Sequence, residues 1–325
     1  MGAQSNDRGR QALAFLPNEI WIHAGDFIIW TFDVDEVHTV TFIPDEGPRP
    51  FFQDVPGSAT ATFDNSTRVS SPGELAELGG VPPNLAFVKA VPPKTFTVNF
   101  TTVGDFKQVC LFHNNMTGVV HVLPANAPLL HNQDFYDREA ADQRRDLLSD
   151  RDGRSVAACG QCAAHDSLKA RVVTAGTGEI SATAGGSQTL SVVRFLEDKV
   201  EIRAGDTVEW TNQDPVTPHT VTFGMEPTDL ADPSAILPAT ITLDADGALH
   251  ANISSNADSV HSGFIKAGAQ DPFIPNELNE RQTPLGVTRF RVTFMRPGAF
   301  PYICALHDNL GMKGMVIVLP TPPPQ

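Results

Sequence analysis

The chain has 325 residues with a formal net charge of -15 and a sequence pI near 5.0, a balance that excludes nucleic acid as a partner and fits a basic protein surface instead. Hydrophobic residues make up 41% and charged residues 19%, and no uninterrupted apolar run approaches the roughly 20 residues that span a bilayer, so a globular chain with length for two cores is expected. Glycine (25) and proline (26) are plentiful and the strand-like runs are short, which points to an all-β fold with many turns.

In chain order, "MGAQSNDRGR" has no apolar h-region, so no signal peptide is visible. The stretch "EIWIHAGDFIIWTFDVDEVHTVTF" (19 to 42) then introduces a unit that returns later as "KVEIRAGDTVEWTNQDPVTPHTVTF" (199 to 223), sharing AGD, W-T and HTVTF. "FVKA" (87 to 90) returns as "FIKA" (264 to 267), and "FTVNFTTVGDFKQVCLFH" (96 to 113) returns as "FRVTFMRPGAFPYICALH" (290 to 307). The chain reads as a tandem duplication of one β domain, over 14–124 and 190–320. Period-two alternation in "FTVNF" and "RFRVTF", punctuated by Gly, Pro, Asp and Asn, predicts antiparallel Greek-key sandwiches.

Residues 125–189 have a different texture and are expected to be a linker. Within it, "NQDFYDREAADQRRDLLSD" predicts one helix over about 132–150, with Asn132 or Asp134 as N-cap and Gly153 past its end. The glycine-rich remainder, through "ATAGGSQ", reads as flexible chain. "CGQCAAH" (159 to 165) is neither a haem attachment site, which needs His directly after the second cysteine, nor a thioredoxin-like motif, which needs a βαβ context. Cys159 and Cys162 read as a linker disulfide, two free thiols or a copper-loading pair.

Each repeat ends in a cluster of soft ligands. His38 is followed by Cys110, His113 and Met116 in "CLFHNNM", and His219 by Cys304, His307 and Met312 in "CALHDNLGM". One thiolate, two imidazoles and a thioether form the ligand set of a trigonal His2Cys copper site with a long axial Met. Four ligands of three types recurring in the same order argue for two mononuclear copper centres, one per repeat.

At these residues the chain resembles the cupredoxins. The C-x2-H-x4-M of the second repeat is similar to plastocyanin, and the shorter C-x2-H-x2-M of the first to the amicyanin loop. The resemblance covers both repeats and leaves out the linker. It implies two type 1 (blue) coppers cycling between Cu(I) and Cu(II), one-electron transfer to a redox partner protein, and an extracytoplasmic (periplasmic or secreted) setting. It also implies that the backbone N–H of Thr39 and of Thr220 reaches the neighbouring thiolate, and that the ring edges of His113 and His307 lie near the surface as electron exits. Asn114 and Asn115 against Leu310 and Gly311 would then give the two docking patches different polarity.

The alternatives are a multicopper oxidase or nitrite-reductase-like enzyme, and a copper storage protein. The first needs interdomain copper, but the H-x-H and H-C-H motifs that hold it in two-domain relatives do not occur. Cys110 is flanked by Val109 and Leu111, and Cys304 by Ile303 and Ala305. No catalytic residue is assigned. The remaining histidines (His23, His121, His131, His165, His250, His261) are scattered singly and read as solvated or structural, although a homo-oligomer interface could gather some of them.

Overall fold

The computed structural model describes residues 1–32, 34–36, 38–44, 59–71, 95–149, 170–226, 241–267 and 288–321. Among the described residues it is all-β apart from one helix and a short 3-10 turn, and consists of two Greek-key sandwiches in tandem. "FVKA" and the Cys159/Cys162 pair lie outside the described residues.

The first repeat begins with a short hairpin, β1 (Ala3–Gln4) and β2 (Arg10–Leu13). It continues with β3 (Glu19–His23), β4 (Phe27–Thr31), β5 (Thr41–Phe42), β6 (Thr60–Phe63) and β7 (Val69–Ser70). The last three strands are β8 (Thr95–Phe100), β9 (Gly104–Val109) and β10 (Thr117–Leu123). One sheet has the order β3-β10-β9-β5-β7 and a facing one the order β4-β8-β6. In the first of these, β3 and β10 pair in parallel, Ile20 against Val120 and Ile22 against Val122, which closes the Greek key.

Alternation sets the core. Along β8, Phe96, Val98 and Phe100 are fully buried while Thr95 and Asn99 face solvent. They meet Trp30, Phe42, Phe63 and Phe106 between the sheets, and the tilted and edge-on ring pairs are those aromatic quadrupoles favour.

Helix α1 (Gln133–Leu148) follows, with the side chain of Asn132 accepting from the amide of Phe135 as its N-cap. Tyr136 and Leu147 are its buried residues; Tyr136 reaches the first repeat by accepting from the amide of Trp21.

The second repeat opens on a long hairpin, β11 (Ala170–Thr183) and β12 (Gly186–Leu196). This stretch was expected on composition to be linker as far as 189. Its glycines serve the hairpin instead: Gly186 has a φ of 149° at the turn, and Gly176, with a φ of 78°, sits at a register shift. Then come β13 (Lys199–Arg203), β14 (Thr207–Gln213), β15 (Thr222–Phe223), β16 (Thr242–Leu243), β17 (Leu249–Ile253) and β18 (Val260–His261). The repeat ends with β19 (Arg289–Phe294), β20 (Gly298–Ile303) and β21 (Lys313–Leu319). The sheet β13-β21-β20-β15-β18 reproduces its counterpart in the first repeat, including the parallel pairing of the edge strand β13 with its neighbour β21. Trp210 takes the place of Trp30 in a core with Phe223, Phe290, Phe294 and Tyr302.

The two repeats share a sheet. Strand β2 pairs antiparallel with β12, giving the order β1-β2-β12-β11-β14-β19-β17-β16. Each repeat thus covers an edge strand that the other would leave open.

Candidate metal centres

The upstream histidine of each repeat lies just before a two-residue strand, β5 or β15, whose neighbour β9 or β20 ends at the cysteine. The loop returns to the next strand through bonds that fix its ends. In the first repeat the amide of Cys110 donates to the carbonyl of Met116 at 3.0 Å, and the amide of Met116 to that of His113 at 3.1 Å. In the second, Cys304 donates to Met312 at 3.0 Å and Met312 to His307 at 3.1 Å. The longer second loop fits one 3-10 turn, Asp308–Leu310, stopped by Gly311 with a φ of 92°.

These loops bring the predicted donors together. Nδ1 of His38 lies 3.2 Å from Nδ1 of His113, and Sγ of Cys110 lies 3.5 Å from the latter. The second repeat has the same geometry: His219 Nδ1 to His307 Nδ1 is 3.2 Å, and Cys304 Sγ lies 3.3 Å from His307 Nδ1 and 3.9 Å from His219 Nδ1. Ligand atoms of His38, Cys110 and His113 lie within 4.8 Å of one another, as do those of His219, Cys304 and His307, and all six residues are buried. Among the described residues these are the only such groups of His, Cys, Asp or Glu. Met116 and Met312 are fully buried in the same core clusters as Cys110 and Cys304.

The amide of Thr39 donates to Cys110 Sγ at 3.4 Å, and that of Thr220 to Cys304 Sγ at 3.3 Å. The threonine hydroxyls in turn accept from the amides of Leu111 and Ala305, both at 2.7 Å. The residue after each upstream histidine therefore binds both the cysteine sulfur and the next backbone amide.

Electrostatics prepare a thiolate. Burial alone would push the Cys110 thiol up, but the charge and hydrogen bond of His113, with His38, hold it well below the ordinary thiol range. Cys304 is likewise lowered against burial, by His307 and by the Thr220 amide. Burial also works against charge on His113, yet the Cys110 thiolate and Glu36 raise it to about 10. Burial, then the charge of His307, keeps His219 neutral. A thiolate beside two closely set imidazole nitrogens in an apolar pocket fits a soft, thiophilic ion such as copper and suits a hard oxygen-seeking ion poorly.

One expectation is corrected. The loop histidines offer little of their surface to solvent: His113 is 6% exposed and His307 4%. Leu310 is also buried, and its carbonyl accepts from Arg194 at 2.8 Å, so it forms no docking patch. Cross-repeat pairing covers these loops, as when the amide of Ser187 donates to Oγ1 of Thr117, next to Met116, at 2.9 Å.

Three further residues shape the sites, of which Glu36 and Gly176 carry little sequence signal. Oε1 of Glu36 lies 3.5 Å from Nε2 of His113, with the side chain only 9% exposed. Asn212 donates to the carbonyls of Thr217 and Ile265, both at 2.9 Å, and accepts from the amide of Asp214 at 2.7 Å, holding the strand before His219 in place. Gly176 packs so closely on His219 that a Cβ there would lie 2.0 Å from Nε2.

The other described histidines are placed apart. His121 stacks on Trp21 and bridges Asp105 and Glu19, His131 stacks on Phe135, and His23 lies against the carbonyl of Ala127. His250 sits between Asp244 and Thr293, and His261 bonds Thr222. His165 lies outside the described residues.

Residues 182–319 match the family described as "Copper binding proteins, plastocyanin/azurin family". Similar solved structures include a Cu(I) substitution variant of amicyanin, at 16% identity over 46% of this chain and 83% of that one, with a TM-score of 0.24. Oxidized plastocyanin from the fern Dryopteris crassirhizoma matches at 17% identity over 46% of this chain and 99% of that one, with a TM-score of 0.21. No curated protein sequence matches. The family match spans β12 to β21 and includes all four predicted ligands of the second repeat, which is a cupredoxin domain.

Proposed function

We propose that this chain, a tandem cupredoxin whose residues 182–319 match the plastocyanin/azurin copper-binding family, is an electron-transfer protein with two type 1 copper centres. His38, Cys110, His113 and Met116 hold one; His219, Cys304, His307 and Met312 hold the other. The observation that carries this reading is the convergence, twice, of two Nδ1 atoms and one Sγ in a buried pocket already organised around a thiolate. Bound copper supplies a one-electron couple.

The chain supplies the rest. Buried donors on loops tied at both ends move little when charge changes, which keeps reorganisation small. The amides of Thr39 and Thr220 draw electron density from sulfur and tune the potential. The apolar cores under Met116 and Met312 exclude water from the donor sets. The net charge of -15 favours a basic redox partner, and the resemblance to cupredoxins supports an extracytoplasmic compartment.

Protein-film voltammetry on the copper-loaded chain tests the function. Reversible one-electron waves are expected; copper held without a reversible wave would indicate storage instead.

A further inference from the structure

The residue two positions before the upstream histidine differs between the repeats: it is Glu36 in the first and Thr217 in the second. In the first repeat the β1–β2 hairpin fixes the loop that carries it. Nε2 of Gln4 donates to Oδ2 of Asp35 at 3.0 Å, Oε1 of Gln4 accepts the Asp35 amide at 3.2 Å, and Arg8 lies 3.2 Å from the same carboxylate. The next side chain turns inward: Oε1 of Glu36 lies 3.5 Å from Nε2 of His113, with the two side chains 9% and 7% exposed. Oε2 of Glu36 is buried with no hydrogen-bond partner among the described residues. His113 turns its Nδ1 to His38 and Cys110, so Nε2 is the nitrogen left for the carboxylate.

The second repeat places its carboxylate differently. Asp214 lies 4.0 Å from Nε2 of the upstream histidine, His219. Its Oδ1 accepts from the amides of Val216 at 2.9 Å and Thr217 at 2.8 Å, and its Oδ2 accepts from the hydroxyl of Ser191. Three donors therefore spread the charge of Asp214 away from the ring, whereas the charge of Glu36 falls on His113. Among the described residues the loop histidine His307 has no carboxylate ion pair.

We propose that Glu36 sets the two centres at different potentials: its carboxylate, held on the Nε2–H of His113, makes that ring the stronger donor, so the first centre favours the oxidised ion and lies below the second. This rests on the reading of both sites as copper centres. An imidazole bound to metal through Nδ1 keeps an Nε2–H, and a carboxylate that accepts it fixes the ring and raises its basicity as a ligand. A buried negative charge is weakly screened, and Cu(II) carries one more positive charge than Cu(I). At equilibrium a chain holding one electron keeps it on the second repeat. The duplicated domains are then an ordered pair, their direction set by a positioning residue that only the first carries.

The test is protein-film voltammetry on the copper-loaded full chain, with Cys304→Ser retaining the first donor set and Cys110→Ser the second. The Cys304→Ser wave is expected at the lower potential. Adding Glu36→Gln, isosteric and uncharged, should raise it by about 59 mV, a tenfold change in the preference for Cu(I) over Cu(II) and the scale of one charge-assisted hydrogen bond. The same substitution in Cys110→Ser should leave that wave in place. Nitrogen-15 NMR of the Cu(I)-loaded chain should show a slowly exchanging Nε2–H on His113 that shifts in Glu36→Gln. An intact charge-transfer band with an unmoved wave, or a first-centre wave above the second, would overturn the proposal. Absence of the band from Cys304→Ser would instead contradict the copper reading of the first site beneath it.

Discussion

Gln11 and Ser191 are the same position of the repeat, 191 − 11 = 180 residues apart as are Gly25 and Gly205, and they face each other across one antiparallel seam. The duplication therefore folded back on itself. The hairpin of the second repeat reaches the end of the first metal loop through Ser187 on Thr117, and the hairpin of the first repeat accepts at the carbonyl of Asp7 from Arg194 of β12, which also holds the second loop at Leu310.

Arg194 ties this arrangement to the second centre. It donates to the carbonyl of Leu310 at 2.8 Å and also to the carbonyl of Asp7 in the first repeat. Arg194→Ala should cost about 1–3 kcal/mol, the loss of charge-assisted bonds to carbonyls left partly buried. Urea denaturation measures the cost, and copper release should accelerate at the second site and hold steady at the first.

Gly176 is required by conformation and by space. Its φ of 78° is the left-handed region, and an added Cβ would meet His219. Gly176→Ala should destabilise by at least about 1–2 kcal/mol from the backbone alone. Displacement of His219 should weaken the charge-transfer band of the second centre while that of the first keeps its intensity.

Asn212 supports the same histidine through three bonds to buried backbone. Asn212→Ala leaves those groups unpaired and should cost about 2–4 kcal/mol. Phe32 occupies the equivalent place in the first repeat, so thermal unfolding of a Phe32→Leu variant should respond as a packing change, with no selective loss of copper from the first site.

Acid should weaken the second repeat through His261. Burial lowers this histidine to about 4, so between that value and the ordinary 6.5 the unfolded chain binds a proton that the folded one does not. Its contribution is present above about pH 6.5 and is lost as pH falls toward 4, with an upper scale of about 3 kcal/mol. Asp214 acts with the opposite sign: burial raises it to about 6, so its penalty grows as pH rises from 3.8 toward 6. His261→Gln should therefore lose less stability than the parent between pH 6.5 and 4, whereas Asp214→Asn should gain relative to the parent as pH rises. Chemical denaturation of the apo-protein across that range separates the two.

The donor set was legible because its residue types are rare and their order recurs. His38 and His219 share HTVTF, and each cysteine ends a strand whose alternation can be read directly. Helix α1 was legible from its N-cap and composition. Glu36 was not, because acidic loop residues are ordinarily solvated and the other repeat has Thr217 there. Burial of His113 and His307 was hidden for a different reason: it follows from pairing of β2 with β12, a contact between distant segments that no local periodicity encodes. The hairpin at 170–196 was masked by its small residues, although Gly185 and Gly186 between alternating runs are a hairpin signal.

The most direct test of the account is a Cu(II) titration of the apo-protein followed by its thiolate-to-copper charge-transfer band, with Cys110→Ser and Cys304→Ser in parallel. Saturation at two coppers per chain, with each substitution removing about half the intensity, is the predicted result. Saturation at one copper, abolished by Cys304→Ser alone, would contradict a centre at His38, Cys110 and His113; no band at all would contradict both.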